Sequence, residues 1–238
     1  MSKTDDYRTA LLAENAWDAY LTAHSGLPGP RGNTELAFAA GELASSEKIK
    51  EWLLLDVGRA PTNTPEEFLA FCGVIGLGRL LKEGNESALL ELRRSASDPR
   101  WRIREAVAMA LQGLGDHGFD RLLSEMRSWA AGDLLEQRAA PAALCEPRLL
   151  APDRVADVIE VLDLITASLV GRENRQGDDF KTLRKGLGYC WSVAVAASPS
   201  VGRPAMERWV RHNDPDIRWV MRENFRKKRL QRMDPKAQ

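Results

Sequence analysis

The sequence predicts an all-α protein made of stacked antiparallel helical hairpins, a short α-solenoid of about 11–12 helices. Through most of the chain, apolar residues recur every three or four positions, which is typical of helices that bury one stripe. No segment has a convincing run of alternating β-branched residues, so no strand is expected. The turns between the predicted helices are short, and this favours antiparallel neighbours and therefore hairpins.

Start and stop signals locate the individual helices. Thr64 and Pro65 have the order of an N-cap and a first-turn proline, and Glu66 and Glu67 suit the positive end of the helix dipole. Several glycines stand where helices should end, Gly84 among them. The predicted helices cover about 6–24, 33–44, 46–57, 65–83, 86–97, 99–114, 118–131, 133–145, 153–170, 179–198, 203–212 and 215–231.

Two turns of the chain have related sequences, which indicates a repeat. The segments 97–103 and 213–219 both carry Asp-Pro followed three residues later by an apolar residue, an arginine and another apolar residue. They are 116 residues apart, close to three periods of about 39. A unit of this size buries its apolar face only against its neighbours. Because no Pro/Ser/Gly-rich linker interrupts the chain, we expect a single helical-repeat domain over residues 1–238.

The repeated segments resemble HEAT repeats. The similarity rests on Asp98-Pro99, Arg102, Arg104-Glu105-Ala106 and Ala110-Leu111, with fainter copies at 213–231 and 134–145. The resemblance implies an α-solenoid that binds protein or nucleic acid, without implying a particular reaction.

A shorter segment, 180–191, is similar to a helix of the HEAT-like DNA glycosylases that remove alkylated purines. In that family a lysine, a glycine and an aromatic residue on this helix line the DNA groove, and Lys185, Gly188 and Tyr189 match them. The family also places a tryptophan and a catalytic aspartate on the groove. The corresponding stretch here, 68–76, offers no carboxylate. The resemblance therefore implies DNA binding and leaves catalysis without a residue to perform it.

Arginines near the C-terminus form the strongest candidate binding surface. Arg218, Arg222, Arg226 and Arg229 are spaced i, i+4, i+8 and i+11, so a continuous helix would place them on one face. Such a row repels itself unless an anion compensates, and phosphate groups are one such anion. The alternative is a solvated terminal face of the solenoid. The other candidate binding residues are Arg104, Arg138, Arg184, Lys185, Tyr189 and Trp219.

Charge is unevenly distributed along the chain although the net charge is zero. Residues 1–90 carry 8 Lys/Arg and 13 Asp/Glu, a balance of −5, and residues 203–236 carry 11 and 5, a balance of +6. This asymmetry bears on the partner rather than on the fold. We expect a binding protein whose basic C-terminal surface holds an acidic or phosphate-bearing partner, with DNA among the candidates. The alternatives are a glycosylase-like enzyme and a protein–protein scaffold whose acidic N-terminal half docks a basic partner.

Several kinds of site are not expected. The three cysteines lie far apart without a Cys-x-x-Cys pair, and the three histidines are isolated, so we expect buried free thiols and no metal site. The glycine-rich stretch 73–78 follows no strand, so we interpret it as helix packing rather than a nucleotide loop. We expect no cofactor, and with neither a signal peptide nor a membrane span, a cytoplasmic location.

Overall fold

The computed structural model describes residues 2–233 and is 71% helical, with no strand among the described residues. The all-α prediction is confirmed. A short 3-10 turn, Pro152–Arg154, precedes α10. The α-helices are α1 Lys3–Ala13, α2 Trp17–Ala23, α3 Thr34–Leu43, α4 Ser46–Leu53, α5 Pro65–Lys82, α6 Ser87–Ser95, α7 Trp101–Gly115, α8 Phe119–Ala130, α9 Leu134–Leu144, α10 Val155–Ala167, α11 Asp178–Ala197, α12 Pro199–Val210, α13 Pro215–Phe225 and α14 Lys228–Gln231.

The first predicted helix, 6–24, is wrong, because the chain forms α1 and α2 with a break between them. A helix continued past the buried Leu11 would turn Glu14 and Asp18 toward the core. The break instead allows Leu21 to become fully buried. The Trp17 indole N–H donates to the carbonyl oxygens of Leu11 and Glu14 at 2.9 and 3.1 Å, so it ties the start of α2 to the end of α1.

The last predicted helix, 215–231, is also wrong, because it is divided into α13 and α14. Asn224 is buried at the end of the core stripe of α13, and the next core positions of a continuous helix would be Lys227 and Lys228. Lys227 instead has extended backbone, with φ −75° and ψ 129°. The chain restarts as α14, and Leu230 turns inward and is 7% exposed. Burial of a leucine in place of lysines explains the break.

The predicted helix 203–212 begins earlier, at Pro199, and ends at Val210. Proline fits the first turn of a helix, where its missing N–H would have no partner anyway. Gly202 lies against α11, since a Cβ there would come within 2.6 Å of the Cα of Val195. This close approach requires a glycine and joins α12 to the helix before it.

The predicted helix starts are mostly confirmed by capping bonds. The Thr64 side chain accepts from the Glu67 backbone N–H, and Asn33 accepts from Leu36. Asp214 accepts from the backbone N–H groups of Asp216 and Ile217 at 2.9 and 3.2 Å. Each bond satisfies a donor in the first helical turn.

The described residues form two compact units, one ending at Leu114 and the other beginning at Gly115. The prediction of a single repeat domain remains a prediction, and its residues Met1 and 234–238 lie outside the described chain. In the first unit, α3 packs against α1 and α5, and α5 also contacts α2, α4 and α6.

In the second unit, the even-numbered and odd-numbered helices make two sets of contacts. Helix α10 packs against α8 and α12, and α11 packs against α9 and α13. The sets are joined by contacts between consecutive helices, such as α8 with α9 and α12 with α13. Helix α11 is thus surrounded by five helices, α9, α10, α12, α13 and α14, and its buried side includes Trp191.

The glycine-rich stretch 73–78 lies inside α5, which confirms its interpretation as helix packing. A Cβ at Gly76 would come within 2.7 Å of the Ile49 side chain, and one at Gly78 within 3.0 Å of the Cα of Ala110. These glycines therefore allow α5 to approach α4 and α7 closely.

The three cysteines are free and buried, as predicted. A hydrogen bond with the Cys190 thiol, together with burial, raises the pKa of Cys145 well above its ordinary value. Burial raises the pKa of Cys72 in the same direction. Within residues 2–233, no helix combines the length and apolar character needed to cross a membrane. The same residues contain no group of three or more His, Cys, Asp or Glu side chains placed to hold a metal ion.

Candidate binding face

Helices α11 and α13 lie side by side in the second unit and carry most of the predicted binding residues. The guanidinium of Arg184 lies 4.6 Å from the ring centroid of Trp219. One turn further along both helices, a Cβ at Gly188 would meet the Glu223 side chain at 3.2 Å. In each of these two contacts the partners are 35 positions apart in the sequence, so the two helices run parallel and in register. We call the exposed surface around this contact the α11–α13 face, formed by Lys185, Tyr189, Arg218, Trp219, Arg222 and Arg229.

A buried asparagine fixes this register. Asn224 of α13 is fully buried, and its side-chain N–H groups donate to the carbonyl oxygen of Leu187 on α11 at 2.9 Å and to that of Val220 at 2.8 Å. Its side-chain oxygen accepts from the backbone N–H of Ser192 at 2.8 Å. Because a buried amide that loses these partners is costly, the bonds tie α13 to one position along α11.

Some of the predicted arginines have a carboxylate partner and others do not. Arg184 forms an ion pair with Asp216, and Arg226 forms one with Glu223. The Arg222 side chain is exposed and has no hydrogen-bond or ion-pair partner among residues 2–233. The Arg218 side chain is also exposed and donates to the carbonyl oxygen of Asn213 at 3.2 Å. The charges of Arg218 and Arg222 are therefore the less neutralised ones on α13.

The division of the last helix changes the predicted row of four arginines. Arg226 is the C-cap of α13 and Arg229 belongs to α14, so these two do not continue the line of Arg218 and Arg222. Arg229 instead reaches α11, where it donates to the hydroxyl of Tyr189 at 2.7 Å and lies 4.6 Å from the centroid of its ring. This contact places a cation over the ring of a tyrosine that is 44% exposed.

Lys185 lies one turn before Tyr189 on α11, and its side chain is exposed with no partner within the described part of the chain. On the other side of α11, the Arg138 side chain of α9 packs against Gly186, where a Cβ would meet its Cγ at 3.4 Å. The second unit thus gathers nine of the ten predicted binding residues on or around α9, α11, α13 and α14. The tenth, Arg104, lies in the first unit, and it donates to the carbonyl oxygens of Asp98 and Pro99 at 2.6 and 2.9 Å.

Comparison with family models, with curated proteins and with solved structures finds no match for this chain. The chemistry of the face must therefore be argued from its own residues.

Sequence reasoning missed the acidic pair that anchors this face. Arg175 donates to the Asp216 carboxylate at 2.9 Å and lies 2.8 Å from that of Asp214. Partial burial alone would raise the pKa of Asp214, but the bond from Arg175 and those from the Ile217 and Asp216 backbone outweigh it. The pKa of Asp214 therefore lies below its ordinary value of 3.8. Both aspartates are neutralised within the protein, so they do not oppose an anion at the face. Arg175 lies in an irregular loop, and no local sequence pattern predicts that it pairs with Asp214 and Asp216.

Proposed function

We propose that the chain is a HEAT-like repeat protein that binds a phosphate-bearing or acidic partner, with DNA as the leading candidate, through the α11–α13 face. The observation that carries the proposal is the pair of exposed cations Lys185 and Arg222, on adjacent parallel helices, beside the aromatic side chains of Tyr189 and Trp219. Cations gain salt-dependent affinity from phosphates, and exposed aromatic rings offer stacking surfaces for bases.

The helix contacts support the repeat part of this proposal. In the second unit α11 contacts α9 and α13, while α10 contacts α8 and α12, as expected for hairpins stacked in two layers. In the first unit a Cβ at Gly41 would meet the Gly76 backbone at 2.9 Å, so α3 and α5 also meet at a spacing of 35 residues. The spacing is shared by α3 with α5 and by α11 with α13, whereas Arg138 of α9 and Gly186 of α11 are 48 residues apart, so only part of the chain follows this period.

Reversing the charge of Arg218 and Arg222 tests the binding part. Both side chains are exposed, so we expect the variant Arg218→Glu/Arg222→Glu to keep its helicity. It should lose measurable affinity for a short labelled DNA duplex in fluorescence anisotropy, a loss on the order of 100-fold or more. The matched control is Lys50→Glu/Arg94→Glu, which makes the same charge change at exposed positions of the first unit. Equal affinity of the two variants would show that the α11–α13 face is not the binding surface.

Two further readouts separate this proposal from the other functions. Release of an alkylated base from damaged DNA would identify a glycosylase-like enzyme instead of a binding protein. Capture of a basic protein in place of DNA would identify a scaffold. A binding face of the kind proposed here gives neither result.

A further inference from the structure

The helix register shows which side chains of the α11–α13 face point to the same side. Arg184 and Gly188 of α11 lie against Trp219 and Glu223 of α13. Each residue of a helix is turned by about 100° from the one before it, because a turn holds about 3.6 residues. In two parallel helices, the residue after a contact residue on the first helix and the residue before a contact residue on the second therefore point to the same side.

Four exposed side chains meet this condition. Lys185 and Tyr189 each directly follow a contact residue of α11. Arg218 and Arg222 each directly precede a contact residue of α13. With a rise of about 1.5 Å per residue, their levels along the two helices are about 3 Å apart, in the order Arg218, Lys185, Arg222 and Tyr189. The face is therefore a compact patch of three cations that ends at an aromatic ring.

Arg229 holds the aromatic ring in place. Its guanidinium donates to the hydroxyl of Tyr189 at 2.7 Å and lies 4.6 Å from the centroid of the ring. Even with this contact, Tyr189 remains 44% exposed, so the ring keeps surface on which a ligand can pack. Because the ring is already fixed, it loses little further freedom when a ligand stacks on it. Tyr189 is therefore a preorganised stacking surface beside the cations.

This combination of cations and ring distinguishes the forms of DNA. A duplex presents phosphates, sugars and the edges of its bases, because the base faces are stacked on one another inside it. It would use the three cations and leave Tyr189 without a partner. A single strand carries its phosphates beside unpaired bases whose faces can stack on an aromatic side chain. We propose that the α11–α13 face binds single-stranded DNA in preference to duplex, with phosphates at the three cations and one base stacked on Tyr189.

This inference rests on the proposed function and specifies its ligand. Fluorescence anisotropy tests it with a labelled strand of about 12 nucleotides that does not pair with itself, a length within the range of known single-strand sites. The same strand annealed to its complement serves as the duplex. We expect the single strand to bind about 5- to 100-fold more tightly than the duplex, the range that corresponds to one stacked base.

Two variants and a control assign the preference to the ring. Tyr189→Leu should weaken binding of the single strand by the same factor and leave the affinity for the duplex unchanged. Tyr189→Phe keeps the ring without its hydroxyl and should still prefer the single strand. The control Phe38→Leu removes an aromatic side chain of similar exposure, 43%, from α3 of the first unit, and it should bind both forms as the parent chain does. Circular dichroism checks that each variant keeps its helicity.

The outcomes separate this inference from the proposed function. If the parent chain binds neither form of DNA, both fail. If the duplex binds as tightly as the single strand, or if Tyr189→Leu keeps the preference of the parent chain, the inference is overturned while the proposed function stands. A loss in Tyr189→Phe as large as that in Tyr189→Leu would also overturn it, because the effect would then belong to the hydroxyl rather than to stacking on the ring.

Discussion

The buried ion pair between Glu67 and Arg102 shows how single residues fix the first unit. Glu67 is fully buried, and its carboxylate accepts from Arg102 at 3.2 Å and from the Asn63 backbone N–H at 2.7 Å. Replacing only one partner leaves a charge buried without compensation. Arrangements of the first unit that separate Glu67 from Arg102 are therefore disfavoured, even where the net contribution of the pair to the free energy of unfolding is small.

We expect Arg102→Met to lower the free energy of unfolding by about 3–5 kcal/mol, because it leaves the Glu67 carboxylate buried without a cation beside it. Urea unfolding followed by circular dichroism measures the change. The double variant Glu67→Gln/Arg102→Met should recover part of the loss. Arg94→Met, at a side chain that is 75% exposed, should change stability by less than about 0.5 kcal/mol. Equal loss in the two single variants would contradict this account of the pair.

Asp214 gives the second unit an acid-sensitive anchor. Its pKa lies below 3.8 in the folded protein, so the folded state binds a proton less readily than the unfolded state. The stabilisation from Asp214 is therefore complete above its ordinary pKa and is lost as pH falls through the lower folded value. Urea midpoints at pH 5 and pH 3 should differ less in Asp214→Asn than in the parent chain. An identical pH dependence would show that Asp214 contributes nothing to it.

Asp214 and its partner Arg175 show which contacts of a single residue can be predicted from the sequence and which cannot. Asp214 could be predicted as a helix cap from the Asp-Pro pair, and the capping bonds are present. Its ion pair with Arg175 crosses 39 positions of the chain, and one sequence contains no sign of it. Local chemistry is therefore readable from the sequence, whereas the partners that neutralise a charge are not.

At the scale of elements, the apolar stripes predicted most helices well. The prediction for 133–145 corresponds to α9, and that for 179–198 to α11. The two failures, at the first and last helices, have the same physical cause. In each, a continuous helix would have turned polar residues to the core, and a break buries Leu21 or Leu230 instead. The prediction extended the apolar stripe of each helix by its spacing of three or four residues and overlooked the polar residues at these positions.

Close approach between helices predicts the effect of adding a methyl group to α5. Gly76→Ala would bring its Cβ within 2.7 Å of the Ile49 side chain, and we expect it to cost about 1–3 kcal/mol through overpacking. Thermal unfolding measures the change. Gly118→Ala is the matched control, because a Cβ there has its nearest neighbour at 4.0 Å. If Gly76→Ala is no less stable than Gly118→Ala, the packing of α5 is looser than described.

At the scale of the whole molecule, charge asymmetry predicted where a binding surface should be sought, but not how its charges are balanced. The basic C-terminal segment does supply Arg218 and Arg222, yet Arg226 is paired with Glu223 and Arg229 is turned toward Tyr189. A count of charges along the chain treats all four alike. The folded structure distinguishes them, because Arg226 has a carboxylate partner and Arg229 an aromatic one, whereas Arg218 and Arg222 have no carboxylate partner among the described residues.

The dependence of DNA binding on salt tests the central claim most directly. If Lys185, Arg218 and Arg222 each neutralise one phosphate, the logarithm of the binding constant should fall linearly with the logarithm of salt concentration, with a slope of about −3. The variant Arg218→Glu/Arg222→Glu should show no measurable binding over the same range of salt concentration, and Lys50→Glu/Arg94→Glu should retain the parent slope. A slope near zero in the parent chain, or the same slope in both variants, would contradict the claim that the α11–α13 face binds phosphate.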